Sequence, residues 1–367
     1  VTVVRSSQAD APQEDGFLQE KNRAHVTLRQ HAQQDRAYIE SCFGRSLYSP
    51  EQLHRAEQEL CTGNHLGCHL WFTDGAPTPG TAPTAEAKHL AEQAELQAVR
   101  NRAYYSDNLD LHRSAVLRLT EQIQNCILVH QQPRARIARV GQLDAAHVWR
   151  VPLLHDSRVF LASEEENQPA FTVDLLLDAS ASRLHCQEVL AAQGVILAKS
   201  LLACSIPVRV SSFCSLRGYT VLRILKNFDE KSSQSIFRYF SSGWNRDGLA
   251  LRAMGDLLTV FPGNAPRHLL LVLTDASPND SLRVQASLEN PFGHDYGDAF
   301  GVQDTAAEVR ALRAKGIHVS AVFMGESSSA SHAAVIYGKE LARIKGIDQL
   351  AKAAGILIQH EIRSLED

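Results

Sequence analysis

The sequence predicts a doubly wound α/β fold with a mostly parallel sheet over residues 166–367, preceded by a mainly helical N-terminal region over 1–165. Three observations predict it. Two apolar runs, FTVDLLLD (171–178) and RHLLLVLTD (267–275), each stop at an aspartate. Such continuous apolarity marks strands buried on both faces, as in parallel sheets covered by helices. Strand-like and helix-like segments then alternate to the C-terminus, the order of a sheet wound by right-handed crossovers. Residues 1–140, by contrast, are rich in Gln, Ala, Arg and His and poor in β-branched residues.

In chain order, helices are expected over 51–61, 84–105 and 109–130. The last carries Leu109, Val116, Leu119, Ile123 and Ile127 near helical spacing. GAPTPGTAPT (75–84) reads as a linker or exposed loop, from its Pro, Gly and Thr. A bridge segment, RARIARVGQLDAAHVWRVPLLHDSRVF (134–160), is basic and then apolar, and SEEENQPA (163–170) reads as a solvated boundary. After the first apolar run come a helix near 184–204, strands VRVSSFCS (208–215) and YTVLRIL (219–225), and a helix near 247–260. The second apolar run leads into a polar loop over 276–302 and a helix over 303–315. IHVSAVFMG (317–325) and ELARIK (340–345) are strand-like, and IDQLAKAAGILI (347–358) is helical.

Composition narrows the function classes. A length of 367 residues suits two domains. A net charge of −4 offers no basic face for nucleic acid. No apolar run approaches the roughly 20 residues needed to cross a bilayer, so no membrane span is expected. The first residues show neither the charged start nor the apolar stretch of a secretory signal. Cysteines at 42, 61, 68, 126, 186, 204 and 214 make an odd count with no framework spacing. Reduced thiols and a cytoplasmic location are expected.

The chemistry concentrates at Asp178-Ala179-Ser180-Ala181-Ser182, where a buried strand gives way to a helix. In doubly wound sheets, ligands bind beyond the carboxyl ends of the strands. Asp275 ends the other apolar strand, and adjacent central strands would bring it beside Asp178. Two converging carboxylates need a proton or a cation between them. The hydroxyls of Ser180 and Ser182 favour a cation. A donor set made only of oxygen suits Mg²⁺, Mn²⁺ or Ca²⁺ better than Zn²⁺. The competing explanation, that Asp178 and Ser180 are only helix caps, accounts for one residue at a time and not for the set.

This D-x-S-x-S arrangement with a later strand-ending aspartate resembles the metal-ion-dependent adhesion site of von Willebrand factor A domains, over about 171–360. In that family a third loop adds a ligand, usually Thr. Here the segment SSGWNRDGLALRAM (241–254) offers Asn245 and Asp247 instead, with Asp247 the stronger candidate. Ala181 and Ala276 stand where Gly is common in the family, which implies altered loop geometry. LLLVLTDASPND (269–280), YGDAFGVQDTAAEVRALRAKGIHVSAV (296–322) and GQLDAAHVWRVPLLHDSRVF (141–160) resemble the nitric oxide reductase activation and cobaltochelatase subunit branch.

That resemblance implies a non-catalytic module that partners a MoxR-type AAA+ ATPase and a client metalloenzyme. The chain has no G-x-x-x-x-G-K-[ST], so nucleotide hydrolysis would belong to the partner. Alternatives are a subunit of a cobalt or magnesium chelatase-like complex, and an extracellular adhesion protein. Asp280, Asp295 and Asp298, on the long loop near the expected mouth, are candidates for shaping specificity. A serine hydrolase is not indicated, since G-x-S-x-G is missing.

A second candidate is CTGNHLGCH (61–69), whose Cys61, His65, Cys68 and His69 could hold Zn²⁺. The alternative there is a turn packed beneath Trp71 and Phe72. RARIAR (134–139) reads either as a dock for an acidic surface or as a solvated stretch.

Overall fold

The computed structural model describes residues 32–76, 84–130, 134–164, 171–263, 265, 267–286 and 292–364. The expected linker at 75–84 and the boundary at 163–170 fall mostly outside these residues.

The N-terminal region opens with helices α1 (32–43) and α2 (Pro50–Leu60). A reciprocal capping box starts α2: the Ser49 hydroxyl accepts from the Gln52 N–H, and the Ser49 N–H donates to the Gln52 side chain. Strand β1 (His69–Thr73) follows, then the long helices α3 (Ala85–Asp107) and α4 (Leu109–His130). The bridge forms a small antiparallel sheet of β2 (Arg134–Ala138), β3 (Gln142–Leu143) and β4 (Phe160–Glu164), in the order β2-β4-β3, with the short helix α5 (Arg150–Leu154) between β3 and β4. The RARIAR stretch is thus largely strand.

The main sheet begins with β5 (Phe171–Asp178), followed by α6 (Gln187–Ala203), β6 (Val208–Leu216), β7 (Tyr219–Lys226), α7 (Asp247–Val260) and β8 (Arg267–Thr274). The segment expected to be a polar loop holds an antiparallel pair, β9 (Asp280–Val284) and β10 (His294–Tyr296). Helix α8 (Asp298–Ala314), β11 (Ile317–Phe323), α9 (Ala330–Tyr337), β12 (Leu341–Arg343) and α10 (Ile347–Ser364) complete the chain.

Among the described residues, seven strands form the main sheet in the order β1-β7-β6-β5-β8-β11-β12. Within it the β6–β7 pair alone is antiparallel, as a two-residue turn between them requires. β5 is buried at all eight positions, because sheet neighbours flank it and helices cover both faces. β1 comes from the N-terminal region and pairs parallel with β7, matching His69 to Tyr219 and Thr73 to Arg223. The sheet therefore extends into the region read from sequence as mainly helical.

Helix α6 is largely apolar, which suits a helix buried over most of its surface. The sheet covers one face, and α3 and α4 cover the other. Ala181–Ala203 is the one segment among the described residues long and apolar enough to cross a membrane, and here it is a core helix with 67% of its most apolar stretch buried. Polar contacts pin the N-terminal helices down: Gln97 donates to Glu188 at 2.7 Å, and Lys199 donates to the Tyr105 hydroxyl at 3.1 Å. None of the seven cysteines forms a disulfide bond.

Candidate metal centre

The register of β5 against β8 pairs Leu177 with Leu273, so Asp178 and Asp275 leave neighbouring strands at the same edge. The chain turns sharply after Asp178 because its Oδ1 accepts the Ser180 N–H at 2.9 Å. A 3-10 helix, Ala181–Cys186, then leads into α6. That turn places the Ser180 and Ser182 hydroxyls 2.8 Å apart, and Ser182 donates to Asp275 Oδ2 at 2.7 Å. Asp178, Ser180 and Asp275 are buried, whereas Ser182 is exposed, so the cluster opens to solvent on the Ser182 side.

Asp247, the first residue of α7, is also buried. Asn245 aims it, donating from Nδ2 to Asp247 Oδ1 at 2.9 Å and to the Ser277 carbonyl at 3.1 Å. Backbone hydrogen bonds of 2.8 and 2.9 Å between Asn245 and Asn279 tie this loop to the one after β8. Asn245 therefore positions Asp247. Ala276 adopts a φ of 53°, in the left-handed region that favours glycine. Its methyl group costs about 1 kcal/mol there.

The three carboxylates sense one another. Burial and then the charge of Asp275 push the Asp178 carboxyl up to about 7. Burial, then Asp178 and Asp275, push Asp247 well above the usual carboxylate range. Asp178 Oδ2 is buried and has no hydrogen-bond partner. No three His, Cys, Asp or Glu side chains among the described residues close on a single point. Any cation at the strand ends would therefore use the serine hydroxyls and water as well as carboxylate, which is how Mg²⁺ is usually held.

Two residues of the site are not evident from sequence. Arg183 is buried, donating from Nη2 to Asp275 Oδ2 at 2.5 Å and from Nη1 to the Met324 carbonyl at 3.1 Å. The available signal was a basic residue directly after the last serine of the motif. The Tyr239 hydroxyl donates to the Asp178 carbonyl oxygen. Asn101 of α3 holds that tyrosine's segment, donating to the carbonyls of Phe237 and Tyr239 at 2.9 Å each. Nothing in the local sequence points to Tyr239.

The acidic loop residues differ in their surroundings. Asp280 is buried against Arg246 at 2.8 Å, Asp295 pairs with Arg283 on the surface, and Asp298 begins α8 with a φ of 43°.

The side chains of Cys61, His65, Cys68 and His69, expected to hold zinc, do not converge on one point in this structure. His65 Nδ1 accepts from Arg246 Nε at 3.2 Å, and a cationic neighbour opposes a metal there. His69 turns toward Glu57 at 3.2 Å and stacks on Tyr219. Burial pushes the Cys61 thiol up to about 12 and Cys68 up to about 11, since apolar surroundings disfavour a thiolate.

Gly248 packs where α7 passes the hydroxyl of Tyr296, which accepts its N–H at 3.2 Å. A Cβ there would lie 2.1 Å from Asp304 Oδ2. Gly248→Ala is therefore expected to lower stability by about 1–3 kcal/mol through overpacking. A urea midpoint equal to that of the wild type would contradict this.

A mostly parallel sheet in this strand order, with D-x-S-x-S at one central strand end and aspartate at the next, is similar to the arrangement of von Willebrand factor A domains. More particularly, the chain is similar to Protein NorD of Brucella suis biovar 1, at 26% identity over 212 residues, covering 56% of this chain and 30% of that protein. It is similar to Protein NorD of Brucella abortus at 27% identity over 203 residues, covering 54% of this chain and 29% of that protein. The chain thus spans under a third of the length of these curated relatives. No family model matches it. Among solved structures it is similar to the vWF domain of the type V pili tip protein Mfa5 from Porphyromonas gingivalis, with 9% identity, a TM-score of 0.41, and coverage of 54% of this chain and 97% of that one.

Proposed function

We propose that this chain is a metal-ion-dependent protein-interaction module. In this reading Asp178, Ser180 and Ser182 hold a divalent cation of the Mg²⁺, Mn²⁺ or Ca²⁺ type. Asp247 and Asp275 complete the charge around it. The observation that carries the reading is the unpartnered, buried Asp178 Oδ2 beside two serine hydroxyls and two more carboxylates. A buried acceptor without a donor is rare and costly in a folded protein, and a cation would satisfy it. The donors are all oxygen, which fits a hard ion. When bound, such an ion offers positive charge at the surface to a carboxylate of a partner protein. Asn245 holds Asp247 in place, and Tyr239 fixes the Asp178 backbone.

The similarity to NorD proteins supports a role in activation together with other proteins. The finer proposal is that the partner is a MoxR-type AAA+ ATPase acting on a client metalloenzyme in the cytoplasm. Seven cysteines without a disulfide among them suit that compartment.

The test is thermal unfolding with and without Mg²⁺, followed by capture of a MoxR-type ATPase on the immobilised chain. Mg²⁺ should raise the Tm of the wild type and leave Asp178→Ala unmoved. An equal rise in both would remove Asp178 from the ligand set. Capture that is indifferent to Mg²⁺ and to Asp178→Ala would count against the site as the docking point.

A further inference from the structure

Arg183 stands inside the acidic cluster as a fixed cation. Its side chain is 4% exposed, and its contacts are Asp275 Oδ2, the Met324 carbonyl and the Cys186 sulfur at 3.8 Å. Asp178 and Asp275 both act on it electrostatically. Asp275 Oδ2 accepts from Ser182 and from Arg183 together, so both lone pairs of that oxygen are engaged. Asp178 Oδ2, by contrast, is unengaged. The buried aspartates thus face a permanent positive charge, since a guanidinium does not deprotonate in proteins.

We propose that Arg183 is a built-in counter-cation that competes with the divalent ion, weakening its binding while keeping the metal-free site folded. This rests on the metal-binding reading of the cluster. The arginine neutralises Asp275 and leaves Asp178, with the two serines, as the open end toward an incoming cation. It also repels that cation, because like charges a few ångströms apart in a poorly solvated site interact strongly. The wild-type site therefore stays formed when empty, and its occupancy follows the ambient cation concentration instead of being permanent.

The experiment titrates Mn²⁺ into the full chain by calorimetry, with Mn²⁺ electron paramagnetic resonance as a second readout. Arg183→Gln keeps a neutral polar side chain and removes the charge. It should bind Mn²⁺ at least about tenfold tighter than the wild type. Arg183→Lys keeps the charge and should stay within about threefold of the wild type. Without metal, Arg183→Gln should melt below the wild type, and Mn²⁺ should close that gap. Glutamine binding Mn²⁺ equally or more weakly would overturn the proposal, as would lysine tightening as much as glutamine. Should Arg183→Gln fold only with Mn²⁺ present, that dependence supports the proposal; failure to fold even with Mn²⁺ overturns it. If neither the wild type nor Arg183→Gln takes up Mn²⁺ at millimolar concentration, the metal reading itself fails. Uptake by both at equal affinity would sink only the role of Arg183.

Discussion

Arg246→Ala is expected to destabilise the chain by about 3–5 kcal/mol, the usual effect of stripping one partner from a buried ion pair. That corresponds to a fall in Tm of roughly 10 °C for a chain of this size. Arg246 is fully buried, and its guanidinium joins three separate stretches of chain. Nη1 donates to Asp280 Oδ2 and to the Leu282 carbonyl, both at 2.8 Å. Nη2 donates to the Asn64 carbonyl at 2.7 Å, and Nε to His65 Nδ1 at 3.2 Å. The group also lies over the Tyr296 ring, 4.3 Å from its centre. Alanine would leave the Asp280 charge buried without its guanidinium and strip the Leu282 and Asn64 carbonyls of their donor. It would also release the 61–65 turn from the loop that carries Asp247. Lysine should not rescue it, because one ammonium cannot reproduce a planar fork serving four acceptors. His65 stays neutral in this arrangement, its pKa lowered to about 3 by burial, then by Arg252 and Arg246. Measured stability within about 1 kcal/mol of the wild type would show that solvent replaces these bonds cheaply.

The parts of this fold written in local pattern could be read from the sequence. β5 and β8 appear as continuous apolar runs, and α6 and α7 fall close to the expected 184–204 and 247–260. Asp178, Ser180, Ser182 and Asp275 were legible because strand ends and a tight turn fix their positions locally. What depended on distant partners was not legible. β1 is five residues long and gains its place only by pairing with Tyr219–Arg223. β9 and β10 are short and polar, and their burial comes from Arg246 and Asp304 rather than from an apolar face. The 61–69 cluster misled for the same reason. Its Cys and His types suit a metal, but Arg246, 181 residues away in sequence, takes the histidine. Arg183 and Tyr239 complete the strand-end site through contacts that no spacing rule encodes.

Mg²⁺ is expected to stabilise this chain far more at pH 8 than at pH 5, and the sign follows from the buried carboxyls. Asp178 is raised from 3.8 to about 7, and Asp247 is raised well above the usual carboxylate range by burial and its two acidic neighbours. Between about pH 4 and pH 7 the folded chain binds protons that the unfolded chain has lost, so metal-free stability falls as pH rises through that window. A cation needs the same oxygens deprotonated, so its binding releases protons and strengthens with pH. At pH 5 protons already satisfy the cluster, and Mg²⁺ should add little to the Tm. At pH 8 Asp178 has lost its proton, and the metal-free site carries the added repulsion, offset by the Arg183 guanidinium hydrogen-bonded to Asp275. Mg²⁺ should then recover an amount on the order of a few kcal/mol, since every tenfold change in a carboxyl's proton affinity corresponds to about 1.4 kcal/mol. Asp178→Asn should flatten the metal-free pH profile and remove most of the Mg²⁺ response. Equal Mg²⁺ effects at pH 5 and pH 8 in the wild type would mean that protons and cation do not share these oxygens, and the strand-end cluster would then lose its claim to be a metal centre.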